Sequence, residues 1–379
     1  MSEFTASDHR HMARALQLAE RGLYTTDPNP RVGCVIARDD ELLGEGFHAR
    51  AGQPHAEIHA LRDAAERGHR QAQLEQASAY VTLEPCSHHG RTPPCCAALA
   101  EAGIGRVVAA MRDPDPRVAG GGLEYLRERG VAVHTGLLEP AARELNRGFV
   151  ARMTRGRPWL RVKLAASLDG RTAMASGQSQ WITGEAARRD VQLLRARAGC
   201  VLTGSATQRA DDPALNLRLG ADELGIDGEP RQPLRALIDG KLGVDPQAQM
   251  LNLPGERLVF TASREVMKIN LLRQRGVDVC QLPSVAGRVD LQAVLAELAR
   301  REINEVQVEA GATLSGALLE AGLVDEIVVY LAPLLMGDAA RGLFRLPAIR
   351  EMAERLPLRL VDLRRVGDDV RLELRSGRE

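Results

Sequence analysis

Aromatic residues are scarce in this 379-residue chain: Phe, Trp and Tyr together make up 3% of it. So few rings cannot furnish the stacking surface of a general single-strand binder. The cores must be built from Ala, Leu and Val, within a hydrophobic content of 44% that is ample for them. Net charge is missing as well. Fifty Lys and Arg balance fifty Asp and Glu, which argues against a general nucleic-acid or membrane-surface binder. Six cysteines in this length do not make a disulfide framework. No stretch reaches the ~18 apolar residues needed to span a bilayer. Residues 1–10 hold charges and no apolar core segment, so no signal peptide is expected. Internal repeats and long low-complexity segments are absent. The expectation is a cytoplasmic protein of two or three domains, with no nucleic-acid and no membrane partner.

What is present is concentrated between His55 and Cys96. His55-Ala56-Glu57 opens the stretch, Glu84-Pro85-Cys86 lies inside it, and Pro93-Pro94-Cys95-Cys96 closes it. One imidazole and two thiolates, from His55, Cys86 and Cys95, make three ligands for Zn²⁺ and leave the fourth tetrahedral position to water. Glu57 is then free to move protons to and from that water. The pattern is close to the H-x-E and P-C-x-x-C of zinc deaminases, with eight residues in place of two between the cysteines. Cys96 is the alternate to Cys95. A closed structural site, its fourth ligand drawn from His88, His89 or Cys96, is the competing reading. The glutamate is misplaced for H-E-x-x-H, so His59 reads as an ordinary helix residue.

Periodicity places these residues. Ile58, Leu61, Ala64 and Ala65 recur at helical spacing, so 56–67 is a helix with His55 and Glu57 at its start. A second helix beginning at Pro94 puts Cys95 and Cys96 where the helix dipole favours thiolates. An earlier helix, capped by Ser7 or Asp8, runs to about Arg21. Residues 32–37, 42–47, 79–83, 106–110 and 131–134 read as strands, and 120–129 as a helix. Cys34, within the first strand, reads as a buried inert thiol. Strands alternating with helices give an α/β layered fold.

Asn29-Pro30-Arg31-Val32-Gly33, His55-Ala56-Glu57 and the run from Thr82 to Cys95 resemble the deaminase half of the bifunctional riboflavin-biosynthesis deaminase/reductases. The long insert between the cysteines is that family's variant of the deaminase spacing. The resemblance implies a cytidine-deaminase-like α/β/α domain over 1–148. It implies a pyrimidine bearing a ribosylamino 5′-phosphate as substrate, with Asn29 and His48 as substrate contacts. A turn Asn and a surface His are the plainer alternatives. Arg91, between the ligands, is a candidate to hold the phosphate, with a solvated loop arginine as the plainer alternative.

Residues 147–158 are basic and carry Gly148, Gly156 and Pro158, which reads as a linker. A second α/β pattern follows. Strands are expected at 159–165, 200–203, 234–238, 258–261, 305–309 and 324–331, with two more inside 358–374. Helices are expected at 184–197, 265–275 and 291–301, and a surface loop at 219–232. After Glu309, the run Gly311-Ala312-Thr313-Leu314-Ser315-Gly316 joins a strand to a helix, a geometry that can present N–H groups to a phosphate. It matches neither the P-loop nor G-x-G-x-x-G.

Lys163 to Gly170, Asp211-Asp212-Pro213-Ala214-Leu215 with Arg218, and Val308-Glu309-Ala310-Gly311 resemble the reductase half of the same family. This implies a dihydrofolate-reductase-like α/β domain over 157–379 that uses NADPH. Carried over by position, Ala165, Trp181, Thr207, Asp211 and the run Gly311, Ala312, Thr313, Leu314, Ser315, Gly316 and Ala317 are its NADPH contacts. Ser179, Arg195, Leu215, Arg218 and Glu309 are its substrate contacts, the two arginines facing the phosphate. Lys163 and Asp169 are electrostatic or proton-handling candidates, against a strand-end salt bridge or a turn. The resemblance also implies a homo-oligomer, a dimer or tetramer, acting on small molecules.

Overall fold

The computed structural model describes residues 4–87, 94–116 and 118–377. The chain divides into two compact units, Met1–Gly156 and Arg157–Glu379.

The first unit opens with helix α1 (Ala6–Glu20). Its cap is Thr5, not Ser7 or Asp8: the Thr5 side chain accepts from the Asp8 amide, and the Asp8 carboxylate accepts from the Thr5 amide in return. Ser7 instead bonds Asp39 and Asp40. Strands β1 (Gly33–Arg38) and β2 (Glu41–Phe47) form a hairpin, followed by helix α2 (Ala56–Glu66) and strand β3 (Ser78–Val81). Helix α3 (Cys95–Glu101), strand β4 (Arg106–Ala109), helix α4 (Gly121–Glu128) and strand β5 (Ala132–Thr135) complete the layers. The sheet order is β2-β1-β3-β4-β5. β1 is antiparallel to both neighbours, and β3, β4 and β5 are parallel. Alternation along β1 decides its two faces. Val35 and Ala37 pack with Met12, Ala15 and Leu18 of α1, whereas Cys34 and Ile36 pack with α2 and α3.

Residues 147–158 are mostly not a linker. Helices α5 (Glu139–Leu145) and α6 (Arg147–Arg155) close the unit, and Phe149 and Ala151 of α6 are buried. Gly156, which suggested a loop, is the left-handed residue that ends α6, at φ 67°.

In the second unit the strands are β6 (Trp159–Ser167), β7 (Cys200–Gly204), β8 (Leu234–Ile238), β9 (Arg257–Thr261) and β10 (Asp278–Gln281). They continue with β11 (Glu305–Val308), β12 (Glu326–Ala332), β13 (Leu358–Val366) and β14 (Asp369–Ser376). They form one nine-stranded sheet in the order β10-β9-β8-β7-β11-β6-β12-β14-β13. All pairs are parallel except the two that β14 makes, with β12 and with β13, which are antiparallel. Helices α7 (Glu185–Arg197), α8 (Ser205–Asp211), α9 (Val266–Gln274), α10 (Leu291–Arg300) and α11 (Ala312–Glu320) connect them. The main core joins Leu160, Val162, Leu202, Phe260, Val306 and Ile327 to α10 and α11. On the opposite face α7 packs through Ala187, Val191 and Leu194 onto Val328 and Tyr330.

Candidate active sites

In the first unit three elements converge. His55 is the extended residue that starts α2, and Glu57 lies in that helix's first turn. Two glycines of β2 make the approach possible. A Cβ on Gly46 would come within 2.6 Å of the Ala60 nitrogen, and one on Gly44 within 2.3 Å of the Ala60 carbonyl oxygen. Cys86 follows β3, and Cys95 is the first residue of α3. Cys95 Sγ lies 3.3 Å and Cys86 Sγ 3.6 Å from His55 Nδ1. All three ligand atoms fall within 4.8 Å of one another. An imidazole nitrogen and two thiolates at this separation fit a tetrahedral zinc ion.

Without metal the two thiols share one proton. A hydrogen bond from the Cys95 thiol, helped by His55 and the Cys95 amide, holds the Cys86 thiol down at about 4, whereas Cys95 keeps its proton more tightly. Glu57 is 3% exposed. Burial, then the negative Cys86 sulfur, raise its carboxyl to about 7, within the working range of a general acid–base.

His48 stands edge-on to His55, ring centroids 5.4 Å apart. Its Nδ1 lies 3.1 Å from the Pro54 carbonyl, so the proton is on Nδ1. Nε2 then accepts from Asn29 Nδ2, also at 3.1 Å. Burial lowers the imidazole's affinity for a second proton. The turn Asn and the buried His therefore belong to the ligand cluster's surroundings. Cys96 is fully buried in the core beside Leu99, and its amide donates to the Cys86 carbonyl. Arg91, His88 and His89 lie outside the described residues.

In the second unit the expected residues gather at the C-terminal ends of β6, β7 and β11, where open α/β sheets place their sites. Glu309 follows β11 and meets Arg195 of α7 in two hydrogen bonds, at 2.7 and 2.8 Å. Arg195 also donates to the Asn216 carbonyl at 2.8 Å. Three of its five N–H donors are thereby engaged, and the other two are left for a further acceptor. Arg218 remains exposed, its backbone held by Gln192. Gln307, which sequence reasoning overlooked, donates to Glu309 Oε1 at 2.9 Å. The signal was available: Glu305, Gln307 and Glu309 alternate with valines, so one strand face is polar. Lys163, on the neighbouring strand, is partly buried; burial lowers its pKa while Glu309 opposes that shift.

Among the cofactor candidates, Thr207 Oγ1 accepts from the Gly311 amide at 3.0 Å, tying α8 to the start of α11. Ser179 donates to Asp211 at 3.1 Å, joining an expected substrate contact to an expected cofactor contact. Trp181 is exposed, with Arg188 4.7 Å above its ring. Ala165 is half-buried in β6, and Leu215 is buried with a positive φ. Gly311, Ala312, Thr313, Leu314 and Ala317 are exposed or half-buried, but Ser315 and Gly316 are turned inward. The Ser315 hydroxyl donates to the Ala310 carbonyl, and a Cβ on Gly316 would meet the Arg345 carbonyl at 2.1 Å. The Asp169 carboxylate accepts from Ser167 and from the Met336 and Gly337 amides.

Residues 5–111 match the cytidine and deoxycytidylate deaminase zinc-binding region, and residues 158–372 match the RibD C-terminal domain. The riboflavin biosynthesis protein RibD of Escherichia coli (strain K12) is 50% identical over 372 residues, covering 97% of this chain and 99% of that protein. The structure of Acinetobacter baumannii RibD, form 1, superposes with a TM-score of 0.89 at 44% identity, covering 98% of this chain and 99% of the other. A Thermotoga maritima structure described as a diaminohydroxyphosphoribosylaminopyrimidine deaminase/5-amino-6-(5-phosphoribosylamino)uracil reductase superposes at 0.84 with 31% identity. It covers 98% of this chain and 99% of that one.

Proposed function

The chain belongs to the RibD family of bifunctional riboflavin-biosynthesis deaminase/reductases, and from that premise we propose how its residues divide the two reactions. The deaminase occupies the first unit and the reductase the second. The substrates are 2,5-diamino-6-ribosylamino-4(3H)-pyrimidinone 5′-phosphate and, once deaminated, 5-amino-6-(5-phosphoribosylamino)uracil.

The observation that carries the first assignment is the meeting of His55, Cys86 and Cys95 beside a buried glutamate. Zinc held there supplies Lewis-acid activation of a water. Glu57 takes the proton of that water and delivers it to the pyrimidine ring and then to the departing ammonia. His48, fixed in one tautomer by Pro54, and Asn29 orient the ring.

In the second unit NADPH supplies the hydride that reduces the opened ribosyl group to ribityl. Thr207, Asp211 and the outward residues of 311–317 receive the cofactor. Ser179, Leu215, Arg218 and the Arg195–Glu309 pair receive the substrate, with Arg218 the arginine open to the phosphate. The protein works in the cytoplasm as a homo-oligomer, a dimer or tetramer. Support for association comes from the edge hairpin of the large sheet, where Leu358, Leu360 and Leu363 are exposed. Among the described residues no helix is long and apolar enough to cross a membrane.

One reaction tests the division. Zinc-loaded protein is given the diaminopyrimidine phosphate, ammonia is followed without NADPH, and NADPH is then added. Ammonia followed by stoichiometric NADPH oxidation is expected. Removing the metal with a chelator should stop ammonia release and spare the second step. Ammonia with no later oxidation would leave the second assignment unsupported.

A further inference from the structure

Glu84 stands two residues before the ligand Cys86, yet the deamination chemistry assigns it nothing. It is 4% exposed. Its two oxygens collect four backbone N–H groups from one segment. Oε2 accepts from Asp113 at 3.1 Å and Gly120 at 3.0 Å, and Oε1 from Gly122 at 3.0 Å and Leu123 at 3.4 Å. The Glu84 amide itself donates to the Met111 carbonyl at 3.0 Å. The segment joining β4 to α4 is thus gathered around one carboxylate.

That segment lies directly on the metal loop. A Cβ added at Gly122 would stand 1.8 Å from the Pro85 carbonyl oxygen, and one at Gly121 2.9 Å from Ser87 Oγ. Pro85 and Ser87 flank Cys86 on both sides. From the opposite direction the Cys96 amide holds the Cys86 carbonyl at 3.2 Å, and the Cys95 amide reaches Cys86 Sγ at 3.4 Å.

We infer that Glu84 is a positioning residue for the zinc site: by holding the Asp113, Gly120, Gly122 and Leu123 amides it locks Gly121 and Gly122 against Ser87 and Pro85, and so fixes where the Cys86 sulfur stands. The residue type follows from the geometry. Four donors converge, and a carboxylate is the side chain that offers about four acceptor sites and no donor. Glutamine has the same shape, but whichever way its amide turns, its NH₂ faces two of the backbone N–H groups. Groups behind a metal's direct ligands commonly change metal affinity or activity ~10–100-fold when replaced.

The inference rests on the deaminase reading, and the experiment separates the two. Full-length Glu84→Gln and Gly122→Ala proteins are compared with the parent. The first removes acceptors while keeping volume. The second pushes on Pro85 from the other side of the clamp and leaves the carboxylate in place, so misfolding of either leaves the other to decide. Zinc affinity is read by competition with a chromophoric chelator, deaminase kcat and KM by ammonia release, and integrity of the second unit by NADPH oxidation with the deaminated substrate. Both variants should hold zinc ~10–100-fold more weakly, with kcat falling more than KM rises and NADPH oxidation unchanged. Parent-like zinc affinity in both would overturn the inference, even with lowered melting temperatures. A parent that binds zinc and releases no ammonia would condemn the deaminase reading alone.

Discussion

Arg195 and Glu309 meet fork to fork, Nε 2.7 Å from Oε1 and Nη2 2.8 Å from Oε2, with 10% and 12% of their side chains exposed. Burial by itself pushes the Glu309 carboxyl up. The Arg195 guanidinium outweighs that and brings it down to about 2. The arginine therefore keeps a buried acid charged, and the proposed phosphate contact that is open to solvent is Arg218.

Replacing the two arginines should separate these roles. Arg195→Ala strands a buried carboxylate and should destabilise the second unit by ~3–5 kcal/mol. Urea unfolding followed by tryptophan fluorescence reads this, because Trp159 and Trp181 are the chain's two tryptophans and both lie in that unit. Arg218→Ala should leave stability within ~0.5 kcal/mol. It should raise the reductase KM ~10–100-fold, the loss expected for a charged hydrogen bond. An unchanged KM would remove Arg218 from the substrate site.

The same pair sets an acid limb. Glu309 titrates at about 2 in the folded protein against an ordinary 4.5. A depressed folded value adds stability that is complete above pH ~4.5 and fades as pH falls through ~2, worth ~3 kcal/mol. Second-unit stability should fall across that window. In Glu309→Gln this part of the slope should vanish, although the variant is weaker at neutral pH. Identical slopes in the two proteins would refute the assignment.

Glu57→Gln should cut ammonia release ~10²–10⁴-fold, the usual share of a general acid–base. NADPH oxidation with the deaminated substrate should stay near the parent value. Loss of both activities in a folded variant would count against independent sites.

Asn29→Ala withdraws the donor from His48 Nε2. Deaminase kcat/KM should drop ~10-fold, as for one hydrogen bond of ~1.4 kcal/mol, while zinc affinity holds. Parent-like kinetics would place the Asn29–His48 pair outside the substrate contacts.

Much of this was legible before any coordinates. His55, Cys86 and one of the pair Cys95 and Cys96 follow from residue chemistry and sequence neighbours, because metal ligands must be particular types; the fold puts Cys95 in the cluster and Cys96 in the core. The main strands and helices follow from alternation and helical spacing, which record which face each segment buries. Caps and ends read less well. Gly156 looked like a linker because glycine marks both loops and helix stops, and only the buried Phe149 shows which applied here. The strand Asp278–Gln281 escaped notice because four residues at a sheet edge carry little periodicity.

By itself the sequence determined the chemistry available: three zinc ligands, a nearby glutamate and a second α/β pattern with its own glycine turn. The tertiary structure alone decided which side chains are free to act. Arg195 reads as one of two arginines at a phosphate, and only the fold shows that Glu309, 114 residues away, pairs with its guanidinium. Asp169 reads as a proton-handling residue or a turn, and only the fold shows that the Met336 and Gly337 amides bond its carboxylate. Ser315 and Gly316 read as cofactor contacts, and only the fold shows that the Ala310 and Arg345 carbonyls lie against them. The physical reason is common to all three. A residue's type fixes which bonds it can make, but which partner takes them depends on groups that only the folded chain brings within reach.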